Sequence, residues 1–341
     1  MMKLAKLMRD TMLPHVDTIA RTFIEMCKEV DLVIGTGLHQ AEAFIIAKKL
    51  GKKYVGVSLQ PVIATREFSF SLIFPNVFGW LNRMSYHLFD FMSARSDLAK
   101  RVRELLGGVR LPSTREWEKR VVLHAFSPSL LPPPPDWNEE CAKVVGCFEP
   151  TTGGGGSGTA KLSHEVEAFL ERGDPPLYVG FGSMPIPNTE VVEKMINAVV
   201  DELGVRVIFC QGWCKSICMQ REGKILTVAS APHSLLLPRC IAAVHHGGAG
   251  TTASSTAAGI PTVILPVLMD QYLWADIVGR RGVGPKHTCP LRKVTPSAFV
   301  DYVREALSPS CLRHARELGL SIQRENGVVN ACNEISMALH T

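Results

Sequence analysis

Runs of like charge are what this sequence has least of. Its 37 Lys and Arg and 32 Asp and Glu leave a formal net charge of +5, spread without a basic or acidic block. That pattern gives no footing for nucleic acid and leaves contact with an anionic surface or substrate merely permitted. Long apolar runs are missing too: none approaches the ~20 residues that span a bilayer. The opening Met1-Met2-Lys3-Leu4-Ala5-Lys6 has no signal-peptide core. The ten cysteines follow no secreted disulfide framework, so a reducing, cytoplasmic setting is expected. The tightest group, Cys210, Cys214 and Cys218, is spaced by four with no nearby histidine. It lacks the close pairs and fourth ligand of a zinc site. Aromatics make up only 7% of the chain, and many of them fall in residues 68–92: Phe68, Phe70, Phe74, Phe78, Trp80, Tyr86, Phe89 and Phe91. Two readings of that stretch stay open. It is either a helical hairpin burying its apolar face, or a greasy pocket or membrane-dipping surface.

What is present is a globular composition, with 46% hydrophobic and 20% charged residues over 341 positions, enough for two domains. Helical periodicity at 16–30 is followed by a strand at 31–36, a helix at 40–50 and a strand at 53–58. Strands return at 121–124 and 144–146, separated by the stiff Pro132-Pro133-Pro134-Pro135. The second half repeats the pattern, with strands at 177–181, 205–209, 225–228, 241–244 and 261–265. Helices are expected there at 190–203, 271–280, 296–307 and 311–322. Alternating strands and helices predict an α/β fold with parallel sheets covered on both faces. The run Thr151-Thr152-Gly153-Gly154-Gly155-Gly156-Ser157-Gly158 reads as a flexible linker. The domains are therefore set at 1–149 and 164–341, joined by a linker at 150–163.

The most informative stretch is His245-His246-Gly247-Gly248-Ala249-Gly250-Thr251-Thr252, between the apolar strand ending at Val244 and a helix of small residues. Glycines let backbone come close to a ligand, and a helix N-terminus presents unpaired N–H groups with partial positive charge. Together they make a phosphate cradle, with both histidines expected to face the crevice at the strand's carboxyl end. Gly248-Ala249-Gly250-Thr251-Thr252-Ala253 also fits a dinucleotide fingerprint, with Asp270 about 20 residues on. That fingerprint normally follows the first strand of its sheet, whereas about three strands of this domain come earlier. The position argues against a nicotinamide cofactor.

The glycine stretch, with Gly259-Ile260-Pro261 and Asp270-Gln271-x-x-Trp274, resembles the donor signature of the family 1 glycosyltransferases. Those enzymes have the GT-B fold, two Rossmann-like domains. More narrowly the sequence resembles the sterol 3-beta-glucosyltransferases and the related bacterial antibiotic glycosyltransferases. The run from Pro175 to Met184, Gln211-Gly212-Trp213, Ala231-Pro232-His233, Thr65-Arg66-Glu67-Phe68 and Asn82-Arg83-Met84-Ser85-Tyr86 support the resemblance, which extends from about Asp31 to about Val329. It implies inverting transfer of a hexose, glucose in that branch, from a UDP-sugar to the hydroxyl of a sterol or other lipophilic acceptor. The first domain then serves the acceptor and the second the donor. The growing charge on the β-phosphate would meet the N–H groups of Gly250, Thr251 and Thr252 at the turn that Gly248 helps form. His246 would bond the diphosphate, with Ser183 facing it. Asp270 and Gln271 would hold sugar hydroxyls, while Gly212, Trp213 and His233 would line the uridine pocket. No Asp-x-Asp occurs, which fits a site that needs no metal or other cofactor. A lipophilic acceptor also brings in peripheral contact with membranes.

Members of this family open with a strand and glycine-rich loop carrying the general base or its partner, and this sequence opens in what resembles a later helix. His15, Asp17 and His39 are the early candidates for a base, and none occupies the family motif. The catalytic residue is thus unassigned from sequence. The alternative reading is a UDP-sugar-binding protein that does not turn over.

Overall fold

The computed structural model describes residues 10–72, 78–148, 161–184, 186 and 188–340. The expected linker run at 151–158, together with Phe74, lies outside them. The chain forms two compact units, one of Met1–Pro128, Pro132–Gly146 and Gly327–Thr341, the other of Ser129–Leu131 and Cys147–Asn326.

In the first unit, β1 (Leu32–Thr36), β2 (Lys53–Ser58), β3 (Val122–His124) and β4 (Ala142–Val144) form a parallel sheet in sequence order. The helices α1 (Val16–Lys28), α2 (Gln40–Leu50), α3 (Gly79–Ser93), α4 (Asp97–Leu105) and α5 (Thr114–Glu118) belong to this unit. Ala20 and Ile24 of α1, Ile45 and Ile46 of α2, and Leu98 and Val102 of α4 share one buried cluster. β1 is an edge strand whose alternate residues face outward, Ile34 at 46% exposure. β4 lies two residues before the expected 144–146, because the ladder pairs Val122 with Ala142. The described residues of the stretch 68–92 do not form the two helices of a hairpin. A 3-10 turn at Phe70–Leu72, with Ser71 at φ 49°, precedes the single helix α3.

The second unit holds β5 (Leu177–Gly180), β6 (Val207–Cys210), β7 (Ile225–Val228), β8 (Ala242–His245) and β9 (Thr262–Ile264). All are parallel, in the order β7-β6-β5-β8-β9. Nearly every strand residue is buried, as expected for strands covered on both faces. Phe209, Val244 and Val263 pack on one side with Met195 and Ile196 of α7 (Thr189–Leu203) and Phe299 of α11 (Pro296–Ala306). Ile208 and Ala243 pack on the other side with Val166 of α6 (His164–Glu171) and Leu236 of α8 (His233–Leu236). α9 (Ala249–Ala257), α10 (Gln271–Arg280) and α12 (Pro309–Ile322) complete the unit. Local chemistry sets the helix ends. Asn188 caps α7, whose other end stops at Gly204 in the left-handed region at φ 68°. Ser308 caps α12 with Pro309 in its first turn.

The division departs from the expected 1–149 and 164–341 in three ways: Ser129–Leu131 and the residues from Cys147 group with the second unit, and the C-terminal helix groups with the first. The last helix, α13 (Gly327–His340), packs on the first unit and not with the domain that precedes it. Ala331 joins the cluster of Val55 and Leu123, and Asn330 Nδ2 donates to Val145 O at 2.9 Å. Lys143 pairs with Glu334, and Lys53 Nζ donates to Leu339 O at 2.7 Å.

Candidate ligand-binding rim of the second unit

In the second sheet the chain lays down β5, β6 and β7 in one direction and then returns to place β8 on the other side of β5. The strand order therefore reverses between β5 and β8, where Gly180 is paired with His245. A crevice opens at the carboxyl ends of strands at such a reversal. The loops after β5, β6, β7, β8 and β9 carry Ser183, Gly212 and Trp213, His233, His246 to Gly248, and Asp270, in that order. All eleven residues singled out from sequence thus fall on this rim or on the first turns of the helices that leave it.

The β5 and β6 loops touch backbone to backbone. Trp213 N–H donates to Gly182 O at 3.0 Å, and a Cβ on Gly212 would lie 2.3 Å from that same oxygen. Both glycines have φ of 57°, so only glycine suits either position. This interlock leaves Trp213 79% exposed, an aromatic plate beside the crevice and not a packing residue. Ser183 is exposed on the facing loop.

The glycine turn rests on a histidine that sequence alone placed wrongly. His245 is fully buried, and its Nδ1 accepts from Gly247 N–H at 3.0 Å. Its proton therefore sits on Nε2, 3.2 Å from Ser255 Oγ, which also receives Thr262 Oγ1 at 2.9 Å. Burial first, then the neighbouring His246 and His233, hold the ring well below the ordinary histidine value and keep it neutral. Successive strand residues face opposite sides. His245 accordingly points into the core, and His246 alone turns to the rim.

His246 is half-buried between two glycines. A Cβ on Gly182 would sit 3.2 Å from its Cε1, and one on Gly248 would sit 2.6 Å from its Nε2. Its Nδ1 is buried without a hydrogen-bond partner among the described residues. Burial, then His233, lowers its pKa, so the ring is neutral near pH 7. Two residues after it Gly248 caps α9 with no side-chain bond. Thr252 does not serve as expected: its N–H and Oγ1 both donate to Gly248 O, at 2.9 and 3.0 Å, and it is buried. The amides that the helix geometry leaves unpaired are those of Ala249, Gly250 and Thr251. A Cβ on Gly250 would project into open space.

The remaining rim residues have defined supports. His233 Nε2 lies 2.9 Å from the hydroxyl of the buried Tyr178, and burial lowers its pKa. Gly180 makes room for that phenol, since a Cβ there would be 2.4 Å from the Tyr178 oxygen. The Tyr-x-Gly alternation on β5 was the sequence signal for this support. Asp270 accepts from Trp274 Nε1 at 3.2 Å, and burial raises its pKa despite that bond. Gln271 is only 4% exposed, and its Oε1 accepts from Val267 and Leu268 N–H at 2.7 and 3.0 Å. Only its Nε2 stays available to a ligand. It now rests 3.3 Å from Met184 Sδ, a weak acceptor. Met269, between these residues, holds φ 49°, a conformation that non-glycine residues rarely take. Ala249, Tyr178 and Met184 are the contributors that sequence reasoning missed.

In the first unit the three early candidates differ. His15 ends a short 3-10 turn. Asp17 is held by Arg21 and Arg101, which lower its pKa. His39 Nδ1 lies 3.8 Å from the Oε2 of buried Glu42, whose Oε1 accepts from Ser96 Oγ at 2.8 Å. Glu42 raises the His39 pKa against the effect of burial. His39 lines a cavity of about 280 Å³ with Met12, Leu13, Val16 and Leu38. Among the described residues no three His, Cys, Asp or Glu side chains form a metal-ligand group, and none of the ten cysteines is joined in a disulfide. No helix of the described residues is long and apolar enough to cross a membrane.

Comparison with known proteins bears on this geometry. Residues 214–318 match the family described as erythromycin biosynthesis protein CIII-like, C-terminal domain. A sterol 3-beta-glucosyltransferase of Arabidopsis thaliana is 32% identical over 210 residues, covering 61% of this chain and 33% of its own length. One from Leptosphaeria maculans is 31% identical over 343 residues, covering 94% of this chain and 22% of its own. The chain therefore spans a third or less of these relatives. Among solved structures, the glycotransferase of kitacinnamycin superposes with a TM-score of 0.69 at 15% identity, over 97% of this chain and 83% of that one. The calicheamicin glycosyltransferase gives 0.66 at 17% identity, over 100% and 81%.

Proposed function

As a family 1 glycosyltransferase of the GT-B fold that resembles the sterol 3-beta-glucosyltransferases, the chain, we propose, transfers a hexose from a UDP-sugar to the hydroxyl of a sterol or similar lipophilic alcohol. The observation that carries the reading is the α9 N-terminus at the strand-order reversal. There the unpaired amides of Ala249, Gly250 and Thr251 follow His246, whose Nδ1 has no partner among the described residues, across Gly247 and Gly248. A diphosphate accepts hydrogen bonds from those amides and from a ring N–H of His246.

Displacement at the anomeric carbon breaks its bond to the β-phosphate oxygen, and negative charge grows on the departing UDP. Fixed amide dipoles and the neutral His246 stabilise that charge more than they stabilise the bound donor, which lowers the barrier. A helix end and a histidine supply the counter-field, so the proposed step needs no divalent cation. The exposed Trp213 ring is suited to stack on uracil, beside His233 held by Tyr178. Asp270 and the Nε2 of Gln271 are the sugar-hydroxyl ligands, with the thioether of Met184 giving way to the sugar. Glucose is the hexose we assign, following the names of the sequence relatives.

The test is incubation of the protein with UDP-glucose and a 3β-hydroxysterol, with the product's anomeric configuration read by proton NMR. A β-glucoside is expected from the α-linked donor. Tight donor binding with no glucoside from sterols or lipid alcohols would overturn the enzymatic reading and leave a donor-binding protein.

A further inference from the structure

Gln271, the first residue of α10, has one half of its side-chain amide fixed and the other half spare. It is buried, and its Oε1 accepts from the N–H groups of Val267 and Leu268. Turning the amide over would strand both loop donors, so the nitrogen end is the one that meets the β5 loop. There Nε2 donates to Met184 Sδ at 3.3 Å. The backbone on both sides of this contact is held. Met184 N–H donates to Phe181 O at 3.0 Å, Trp213 N–H donates to Gly182 O at the same distance, and Gln271 N–H donates to Leu268 O at 3.3 Å. What is left to move is the methionine side chain, unbranched and flexible, ending in a thioether.

A site built to bond a sugar hydroxyl rejects the analogue that lacks it, because the protein's own buried polar group is then stranded. Gln271 facing the sugar alone would be such a group. Met184 alters the balance, since even a weak acceptor spares a buried N–H most of the cost of having none. With a donor that carries the hydroxyl, the thioether moves aside and oxygen takes its place on Nε2. With a donor that lacks it, the space of the hydroxyl stays empty and sulfur keeps its bond. We propose that Met184 is a specificity-determining residue of the donor site, an exchangeable acceptor that lets the site take a deoxyhexose as well as the full hexose, which rests on the sugar-ligand role proposed above for Gln271. The same contact explains why a methionine, and not a branched aliphatic residue, stands opposite a buried amide. Valine, leucine or isoleucine would fill the space and leave Nε2 without an acceptor in every complex that lacks the hydroxyl.

Calorimetric binding of UDP-glucose and its 2-, 3-, 4- and 6-deoxy analogues to the whole protein, at fixed salt, tests the assignment. The proteins compared are the wild type, Met184→Leu and Met184→Gln. Leucine is a volume-conserving exchange that removes the acceptor and keeps the fold, and glutamine restores an acceptor at similar reach. The quantity read is the preference for UDP-glucose over each analogue. In Met184→Leu one of these preferences should rise about 5- to 100-fold, the effect of a stranded buried donor, while the others stay within about twofold. Met184→Gln should return that preference to the wild-type value or below it. Preferences that are all unchanged in Met184→Leu, or that all rise together, overturn the inference. So does a Met184→Gln variant as strict as Met184→Leu, which would show that the side chain only packs. Failure of the wild type to bind UDP-glucose overturns the inference together with the donor reading. Binding of UDP-glucose with unchanged preferences overturns the inference alone.

Discussion

His246→Ala tests the phosphate assignment most directly. In the folded protein Nδ1 is buried without a partner, and the ring is fixed in orientation by Gly182 and Gly248. The ring thus enters a complex with little rotamer freedom to lose and with one desolvated nitrogen to satisfy. A hydrogen bond to a charged group contributes about 1.5–3 kcal/mol. At about 1.4 kcal/mol per tenfold, the substitution should weaken UDP-glucose binding by roughly 10- to 100-fold in calorimetry at fixed salt. The melting temperature of the free protein should change little, because the side chain is half-exposed. The pH dependence gives a second, independent reading. His246 is neutral near pH 7 because burial and His233 lower its pKa, and a bound diphosphate raises that pKa. A group whose pKa is higher in the complex favours binding below the complex's value, so wild-type affinity should rise as pH falls from 7 toward 5. UDP-glucose has no terminal phosphate monoester to titrate over that range, and the slope should flatten in the variant. Affinity within about threefold of wild type would refute the assignment.

Two further predictions concern the scaffold. Gly212→Ala places a methyl 2.3 Å from Gly182 O on a residue at φ 57°. The strain, about 1–3 kcal/mol, should lower the melting temperature by several degrees and weaken donor binding, and a wild-type melt would show that the two loops do not interlock. Acid should also destabilise both units through their buried neutral histidines. The His124 pKa is lowered to about 3, by burial first and then by Arg120, and that of His245 is also held well below the ordinary value, by burial first. Both groups bind a proton more readily when unfolded. Their contribution is therefore complete above the unfolded value near 6.5 and is lost as pH falls below it. The loss is about 1.4 kcal/mol per pH unit per histidine, so His124 alone loses about 2 kcal/mol between pH 7 and pH 5, and His245 adds to it in the same direction. Urea midpoints should fall over that interval, less steeply in His124→Gln, and a pH-independent midpoint would contradict the neutral buried state.

Much of this protein was determined by local sequence. Alternating apolar runs and amphipathic segments placed β2, β7, α2 and α10 where they are found, because strand and helix periodicity act over a few residues. The glycine turn was legible because only glycine reaches Gly247's φ of 90° and because a helix must follow it. Tertiary structure decided what depends on partners distant in the chain. It sent His245 inward to Ser255 and Thr262, and it engaged the Gln271 carbonyl with the loop amides. It placed Tyr178 behind His233, 55 residues away. It returned α13 to the first unit and left one side of α3 uncovered. Side-chain direction at a sheet edge and the partners of buried polar groups are set by the packing of the whole sheet. No window of neighbouring residues contains them.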